Sequence, residues 1–419
     1  MTTLLTKASW RLAGAALACA AGATMAAPIE RLLVDRSLEA REVSILAIST
    51  DEIEIAHPDR TSEPIPMSDI AVILPIEQAP RSAHPQSTMA PGTVRVAVTM
   101  TDGQRVIGAL GLGALDAVPD PALAIEDALL VRLPGADRVA IALDRIAHIE
   151  LADAPRTSPA IADTDTVTLR NGDVITGYVL AVGSDVEIET DTDEVILSVS
   201  TVSTIALANP ARTPGRTLVS LANGSVLEAS RITTTPRGTV KLALTLTGGD
   251  EPAGSESAEA PPVLAFTLEE VTGLVPAGSG VLALASLDAP THAPTGERRW
   301  ASPPIAGPLG VGGLATIEFP GPMTATWPLP RGATRFATVA TLGTVPGAWA
   351  DCMLEVRAQT GAGPVELSTH RLHAASPTAD IRVELPAGAT AITLAVLPGA
   401  RGPVHDRVFF ERPMLLIER

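Results

Sequence analysis

A short pattern of apolar residues recurs four times along the first two thirds of the chain. In each copy an apolar side chain stands at every third position, and we call this pattern the closing phrase. The four copies are Met67, Ile70 and Ile73; Leu143, Ile146 and Ile149; Val199, Val202 and Ile205; and Leu268, Val271 and Leu274. Self-similarity at a spacing of roughly 55 to 75 residues is typical of one supersecondary unit that is used repeatedly.

A hairpin pattern precedes three of the four copies. The segments TMTDGQRVIG (99–108), TLRNGDVITG (168–177) and SLANGSVLEA (220–229) place Asp-Gly or Asn-Gly between alternating strands. Such a dipeptide predicts a two-residue turn between antiparallel strands.

We therefore expect tandem β-modules. Their predicted bounds are 28–77, 93–152, 165–208 and 216–277, with a Pro/Ser-rich linker at 78–92. In size and strand pattern each module resembles an SH3-like or Sm-like small barrel, and one long β-solenoid is the alternative. A barrel of this size buries little surface alone, so neighbouring modules are expected to pack on one another.

The segment 283–419 has a different composition. It contains seven of the ten aromatic residues of the chain, namely Trp300, Phe319, Trp327, Phe336, Trp349, Phe409 and Phe410. Seven alternating runs between residues 316 and 398 predict antiparallel strands, and with the turns between them they indicate a jelly-roll β-sandwich. The whole chain is thus predicted to be all-β, with SH3-like modules followed by a C-terminal sandwich.

The first 27 residues have the layout of a secretory signal peptide. Lys7 and Arg11 precede an apolar run, and small residues follow before Pro28. The apolar run is shorter than the ~20 residues that a membrane span needs. We expect an exported protein, periplasmic, at the cell surface or extracellular, with no membrane span after removal of the signal. Cys19 leaves a lipoprotein as an alternative.

The net charge excludes two classes of binding partner, and the cysteine content excludes a disulfide within the mature chain. The net charge of −17 argues against binding to nucleic acid or an anionic membrane, because both need basic patches. After signal removal Cys352 is the one cysteine, so no disulfide forms within the chain.

The sequence carries no recognisable catalytic or metal-binding motif. Of seven histidines only His370 and His373 are close, and a separation of three places them on opposite faces of a strand. One cysteine gives no Cys/His zinc spacing, and no GxSxG motif is present. A carboxylate pair for glycoside hydrolysis is defined in space, so the sequence leaves that chemistry open. We expect a non-enzymatic protein with no metal and no cofactor.

The order of phrases in the C-terminal segment resembles the NPCBM family of carbohydrate-binding modules. The resemblance rests on GPLGVGG (307–313), RFATVATLG (335–343), RVELPAGATAITLAV (382–396) and GPVHDRVFFERPMLL (402–416). It implies a sandwich of the kind found in secreted bacterial glycan-active proteins. Asp406 matches an aspartate of the family's tail, whereas Phe409 and Phe410 stand where the family has an acidic residue and a tryptophan. A family histidine is absent around 317–321.

Five residues are candidates for ligand binding: Trp300, Trp349, His405, Asp406 and Arg407. Sugar recognition commonly uses flat aromatic faces. Residues that bind ligands lie on loops more often than on strands. Trp327 alternates with core positions and is expected to be structural.

The leading hypothesis is an exported β-modular protein that binds a cell-surface or extracellular polysaccharide or glycoconjugate through its sandwich. One alternative is an envelope scaffold that contacts a protein partner and has a degenerate sugar site. Another is a secreted glycoside hydrolase or an accessory to one.

Overall fold

The computed structural model is all-β, as predicted. It describes residues 28–57, 61–76, 94–110, 128–133, 139–151, 163–210, 212, 215–244, 263–296, 299–343, 350–400, 402 and 406–418. The predicted signal peptide and the linker at 78–92 lie outside these residues. In the part of the chain that is described, no helix is both long enough and apolar enough to cross a membrane.

Within the described residues before the C-terminal segment, twenty strands form four units of five strands each. Unit 1 contains β1 (Ile29–Asp35), β2 (Ala40–Ile48), β3 (Glu52–Ala56), β4 (Ser62–Pro66) and β5 (Ile70–Pro75). Unit 2 contains β6 (Arg95–Met100), β7 (Arg105–Leu110), β8 (Ala128–Arg132), β9 (Val139–Ala142) and β10 (Ile146–Leu151). Unit 3 contains β11 (Asp165–Leu169), β12 (Val174–Val182), β13 (Asp185–Glu189), β14 (Glu194–Ser198) and β15 (Val202–Ala206). Unit 4 contains β16 (Thr217–Leu221), β17 (Val226–Thr234), β18 (Thr239–Leu244), β19 (Val263–Thr267) and β20 (Val271–Val275).

The four units share one antiparallel strand order. In each, the first strand lies between the second and the fifth, and the third and fourth strands follow the second. Single-turn 3-10 helices at Met67–Asp69, Leu143–Arg145 and Val199–Thr201 precede three of the fifth strands. The likeness of a unit to an SH3-like barrel stays a prediction.

The closing phrase is explained by this turn and by a bulge. All twelve of its side chains are buried in one core that runs through the four units. A regular strand would point residues three apart to opposite faces. Here Ala71 is skipped in the pairing of β1 with β5, so Ile70 and Ile73 both face the core. The fifth strand of each other unit carries the same register shift.

The three hairpins form where the sequence predicts them, but the prediction of a two-residue turn is wrong, because the turn contains three residues. In the first, the Gly103 N–H donates to the Met100 carbonyl oxygen at 3.1 Å, and the Met100 N–H donates to the Gln104 carbonyl oxygen at 2.8 Å. Only the glycine has a positive φ, +82°. This is a three-residue loop that ends in a left-handed glycine, so the residue before the glycine needs no strained backbone.

Strands of different units pair and join the units into one ribbon. β10 pairs with β15, β5 with β20, and β7 with β17. Together with the pairs inside each unit they give the strand order β12, β11, β15, β10, β6, β7, β17, β16, β20, β5, β1, β2. The strands that contain the closing phrase therefore also pair between units: β10 with β15 joins units 2 and 3, and β5 with β20 joins units 1 and 4.

The C-terminal segment is a sandwich of two antiparallel sheets. One sheet contains β21 (Val281–Ala283), β23 (Ile305–Ala306), β24 (Ile317–Phe319), β26 (Ala333–Leu342), β29 (Thr378–Glu384) and β31 (Val408–Ile417). The other contains β22 (Thr291–Pro294), β25 (Met323–Pro328), β27 (Asp351–Thr360), β28 (Gly363–His373) and β30 (Ala391–Pro398). Further 3-10 turns lie at Leu284–Ser286 and Val311–Gly313.

Aromatic side chains fill the space between these sheets. Phe319, Trp327, Phe336 and Phe410 are all buried there. The Phe319 ring meets the Phe410 ring edge to face, with centroids 4.8 Å apart. Trp327 is thus structural, as expected, and so is Phe410.

The sandwich packs directly on unit 1. A second apolar cluster contains Val34, Leu38 and Val72 of unit 1 together with Ala337, Met414 and Leu416 of the sandwich. Arg335 Nη1 also donates to the Arg36 carbonyl oxygen at 2.9 Å. Because this contact is apolar and buried, the sandwich and the units form one packed body.

Candidate functional site

One end of the sandwich collects four of the connections that cross between its two sheets. The register places the ends of β24, β26, β28 and β30 and the starts of β25, β27, β29 and β31 at this end. The connections are 320–322, 343–350, 374–377 and 399–407. We call this the loop end. Every candidate residue that the structure describes lies at or beside it.

Trp300 is an exposed aromatic residue at the loop end. Trp300 is 67% exposed to solvent. It borders a shallow depression that is also lined by Ala301, Ser302 and the turn at 320–323. The preceding segment is fixed to the sandwich, because Thr295 Oγ1 donates to the Val396 carbonyl oxygen at 2.9 Å. The structure thus presents a flat apolar ring beside a concave surface.

Asp406 lies beneath the loop end and is only 2% exposed. Its Oδ1 accepts the Asp351 N–H at 3.4 Å. Its Oδ2 is buried and has no hydrogen-bond partner among the described residues. Burial, reinforced by the nearby Asp351 carboxylate, raises the pKa of Asp406 to about 6. The carboxyl group therefore faces protein rather than solvent, although its position in the sequence suggested a ligand contact.

Asp351 is the centre of this buried polar group. Its carboxylate accepts two hydrogen bonds from Arg371, at 2.8 and 2.9 Å, in a bidentate pair. It also accepts the Ala400 N–H at 3.2 Å, and its carbonyl oxygen accepts the Gly399 N–H at 2.8 Å. Asp351 thus ties the start of β27 to the connection that leads to β31.

Arg407 is an exposed cation at the same end. Its guanidinium forms an ion pair with Glu318 and lies 5.6 Å from the centroid of the Phe409 ring. The Arg407 carbonyl oxygen accepts the Gly343 N–H at 2.8 Å. Since Glu318 and Phe409 occupy facing positions on β24 and β31, the outer face of this sheet presents a charged pair over an aromatic ring.

Trp349 and His405 lie outside the described residues, so their roles stay predictions. Trp349 comes two residues before Asp351, and His405 comes directly before Asp406. Across the described part of the chain, no group of three or more His, Cys, Asp or Glu side chains could hold a metal ion.

Sequence reasoning missed Asp351, Arg371 and Glu318. Asp351 and Arg371 stand 20 positions apart, on two different strands, and no short motif links them. The remaining signal is the aspartate that follows Trp349 in the AWAD segment. This aspartate indicates that the loop is of interest, but nothing near it in the sequence indicates that Arg371 pairs with it.

Comparison with known proteins gives only distant likenesses. No family model matches the chain, and no curated protein is significantly similar to it. Among solved structures, a CBM51 module from Clostridium perfringens in complex with methyl-galactose is 14% identical, with a TM-score of 0.25; the match covers 32% of this chain and 99% of that one.

Two larger structures also match. The tandem CBM51 modules of a family 98 glycoside hydrolase from Streptococcus pneumoniae are 9% identical over 77% of this chain and 88% of that one, with a TM-score of 0.27. A structure of the M60 catalytic domain with two CBM51 domains from Clostridium perfringens ZmpB is 7% identical over 90% of this chain, with a TM-score of 0.28. The chain spans about half of that structure, 55%. The structural neighbours of this chain are thus carbohydrate-binding modules, at a level of similarity that assigns no ligand to it.

Proposed function

We propose that this chain is an exported, non-enzymatic protein that binds a glycan at the loop end of its sandwich. The exposed Trp300 ring beside a concave surface is the observation that carries the proposal. An aromatic face in contact with the C–H groups of a sugar ring buries apolar area on both partners. A large apolar side chain that is two thirds exposed is otherwise unfavourable in water.

Arg407 and Glu318 supply polar contacts in this proposal. Sugar hydroxyls both donate and accept hydrogen bonds, and the ion pair offers an anionic acceptor and a cationic donor at one site. Asp406 takes a positioning role instead of the direct contact suggested by the sequence, because its oxygens are buried. Asp351 and Arg371 hold the connections in place.

A binding role fits the carboxylates better than a hydrolytic one. Asp351 and Asp406 are neighbours, but both are buried, and Asp351 is already paired with Arg371. Glycoside hydrolysis needs two carboxyl groups that flank a bound substrate. Unit 1, which packs on the sandwich through an apolar contact, and the three units joined to it would serve as a rigid support.

Binding to soluble polysaccharides tests this proposal. The purified protein is screened on a glycan array, and hits are titrated by calorimetry. We expect saturable binding that Trp300→Ala weakens about tenfold or more, because anchoring aromatic residues typically contribute at least that much. The matched control is Val263→Ala, which shortens an exposed apolar side chain of unit 4, outside both the sandwich strands and β12. Folded protein that binds no glycan on the array contradicts the proposal.

A protein-binding scaffold is the second candidate. It is favoured by Phe410, whose ring packs in the core where the resemblance would place a tryptophan of a sugar site. Cross-linking of the protein in its native envelope would then identify one protein partner. In the glycan-binding assay described above, Trp300→Ala would bind no differently from the parent protein.

A further inference from the structure

One end of the ribbon, in unit 3, exposes apolar side chains. Val174 is 59% exposed and Tyr178 is 66% exposed, both on the outer face of β12. β12 is the last strand of the ribbon at this end, and among the described residues its first half, residues 174–177, pairs with β11 alone. Within the described part of the chain, no strand pairs with the second edge of β12 along residues 174–177, and the outer face of this stretch is exposed.

The corresponding strands of units 2 and 4 cover each other. β7 and β17 meet in an antiparallel contact that pairs Arg105 with Val226. When the two hairpin segments are aligned on their turn glycines, Gly103 and Gly224, Arg105 and Val226 occupy the same position. Equivalent residues thus face each other, as in a two-fold symmetric interface.

Hydrogen bonds obey the same symmetry. The Glu228 N–H donates to Gln104 Oε1 at 2.8 Å, and the Ile107 N–H donates to Ser225 Oγ at 3.1 Å. Gln104 and Ser225 are equivalent positions, and so are Ile107 and Glu228. All four residues are buried. Each unit therefore offers the other a side-chain acceptor and a backbone donor at matching sites.

Unit 3 has the same elements in the same places. Asp173 supplies a side-chain acceptor at the position of Gln104 and Ser225, and Val174 stands at the symmetry position. Thr176 is paired with Thr166 as Glu228 is paired with Leu218, so its N–H points away from β11 as the Glu228 N–H points away from β16.

Unit 1 shows what this surface looks like when it faces solvent. The turn residue with positive φ, Leu38, corresponds to the turn glycines, so Ala40 and Glu42 correspond to Val174 and Thr176. Ala40 and Glu42 are exposed as well, but they are small or charged. The open surface of unit 3 instead carries a valine and a tyrosine.

We propose that a second copy of this chain covers this surface. Two β12 strands meet antiparallel with Val174 of each copy at the two-fold axis, and the contact between β7 and β17 is its template. Between 163 and 208, unit 3 has nine acidic residues and one basic residue. The two copies therefore repel each other at low ionic strength, and added salt strengthens the association by screening.

Disulfide trapping of the dimer tests the inference. Directly opposed residues of antiparallel strands have Cα atoms about 4.5 to 5.5 Å apart, which suits a disulfide bond. Val174→Cys is therefore expected to give a disulfide-linked dimer under mild oxidation. Ala40→Cys, at the equivalent position of unit 1, is the matched control and is expected to stay monomeric. The native Cys352 is buried and does not compete.

Light scattering after size exclusion measures the mass without a cross-link. The expected result is a mass that rises twofold with protein concentration, at lower concentration in high salt than in low salt, and a Tyr178→Glu variant that stays monomeric. Circular dichroism verifies that each variant is folded. A monomer at every concentration and salt level overturns the inference, and so does a dimer that Tyr178→Glu leaves intact or that salt dissociates.

Discussion

Replacing Asp406 with asparagine should make the sandwich more stable at neutral pH. The substitution retains the size of the side chain and leaves an oxygen to accept the Asp351 N–H. It removes a charge that burial and the Asp351 carboxylate disfavour, which is why the pKa of Asp406 rises to about 6 from its ordinary 3.8. The difference corresponds to about 3 kcal/mol at most.

The sign follows from proton binding. A carboxyl group with a higher pKa in the folded chain holds its proton more tightly there than in the unfolded chain. Asp406 therefore costs no stability below pH 3.8, where both states are protonated, and the free energy of unfolding falls as the pH rises toward about 6. Asp406→Asn should match the parent protein at about pH 4 and exceed it by about 2 to 3 kcal/mol at about pH 8.

Tryptophan fluorescence measures this in the sandwich alone. Outside the predicted signal peptide, the three tryptophans, Trp300, Trp327 and Trp349, all lie in the C-terminal segment. Denaturant titrations at several pH values then give the free energy of unfolding of the sandwich. Asp288→Asn, which removes an exposed carboxylate from the same segment, is the control and should show no gain.

Two results would refute the reasoning. A stability difference between parent and Asp406→Asn that is the same at every pH would mean that the charge of Asp406 is not the cause. A variant that is less stable at high pH would mean that the carboxylate is needed as an anion.

Three further predictions concern other buried positions. Burial lowers the pKa of His148, so the parent protein should lose stability as the pH falls below 6.5, and His148→Gln should lose less; circular dichroism during denaturation at about pH 7 and about pH 5 compares them. Burial raises the pKa of Cys352 to about 12, so iodoacetamide should modify it only in denaturant, as peptide mass spectrometry can show. Gly273→Ala should cost about 1 to 3 kcal/mol in thermal unfolding, since its Cβ would lie 2.7 Å from the Ile73 carbonyl oxygen and against Val311, whereas Gly361→Ala, which has open space, should cost little.

The candidate site shows where sequence reasoning stops. The resemblance drew attention to Asp406 and Arg407, and the structure places both at the loop end. It could not show that Asp406 is buried or that Arg407 is paired with Glu318, because the partners are 55 and 89 positions away along the chain. The sequence identified seven strands of the sandwich, β24 to β30, and missed the short β21, β22 and β23. It also missed β31, whose Arg412 has a positive φ, 47°, that interrupts the alternation.

The sequence by itself determined the elements that depend on near neighbours. Turn glycines specify the hairpins, and the closing phrase specifies a turn and a bulged strand, since backbone conformation and side-chain direction are set within a few residues. Only the tertiary structure decided which strands of different units pair, that Asp351 joins two connections, and that no described strand pairs with the second edge of β12 along residues 174–177. Those contacts link residues far apart in the chain, and they form wherever apolar faces and unpaired strand edges find partners.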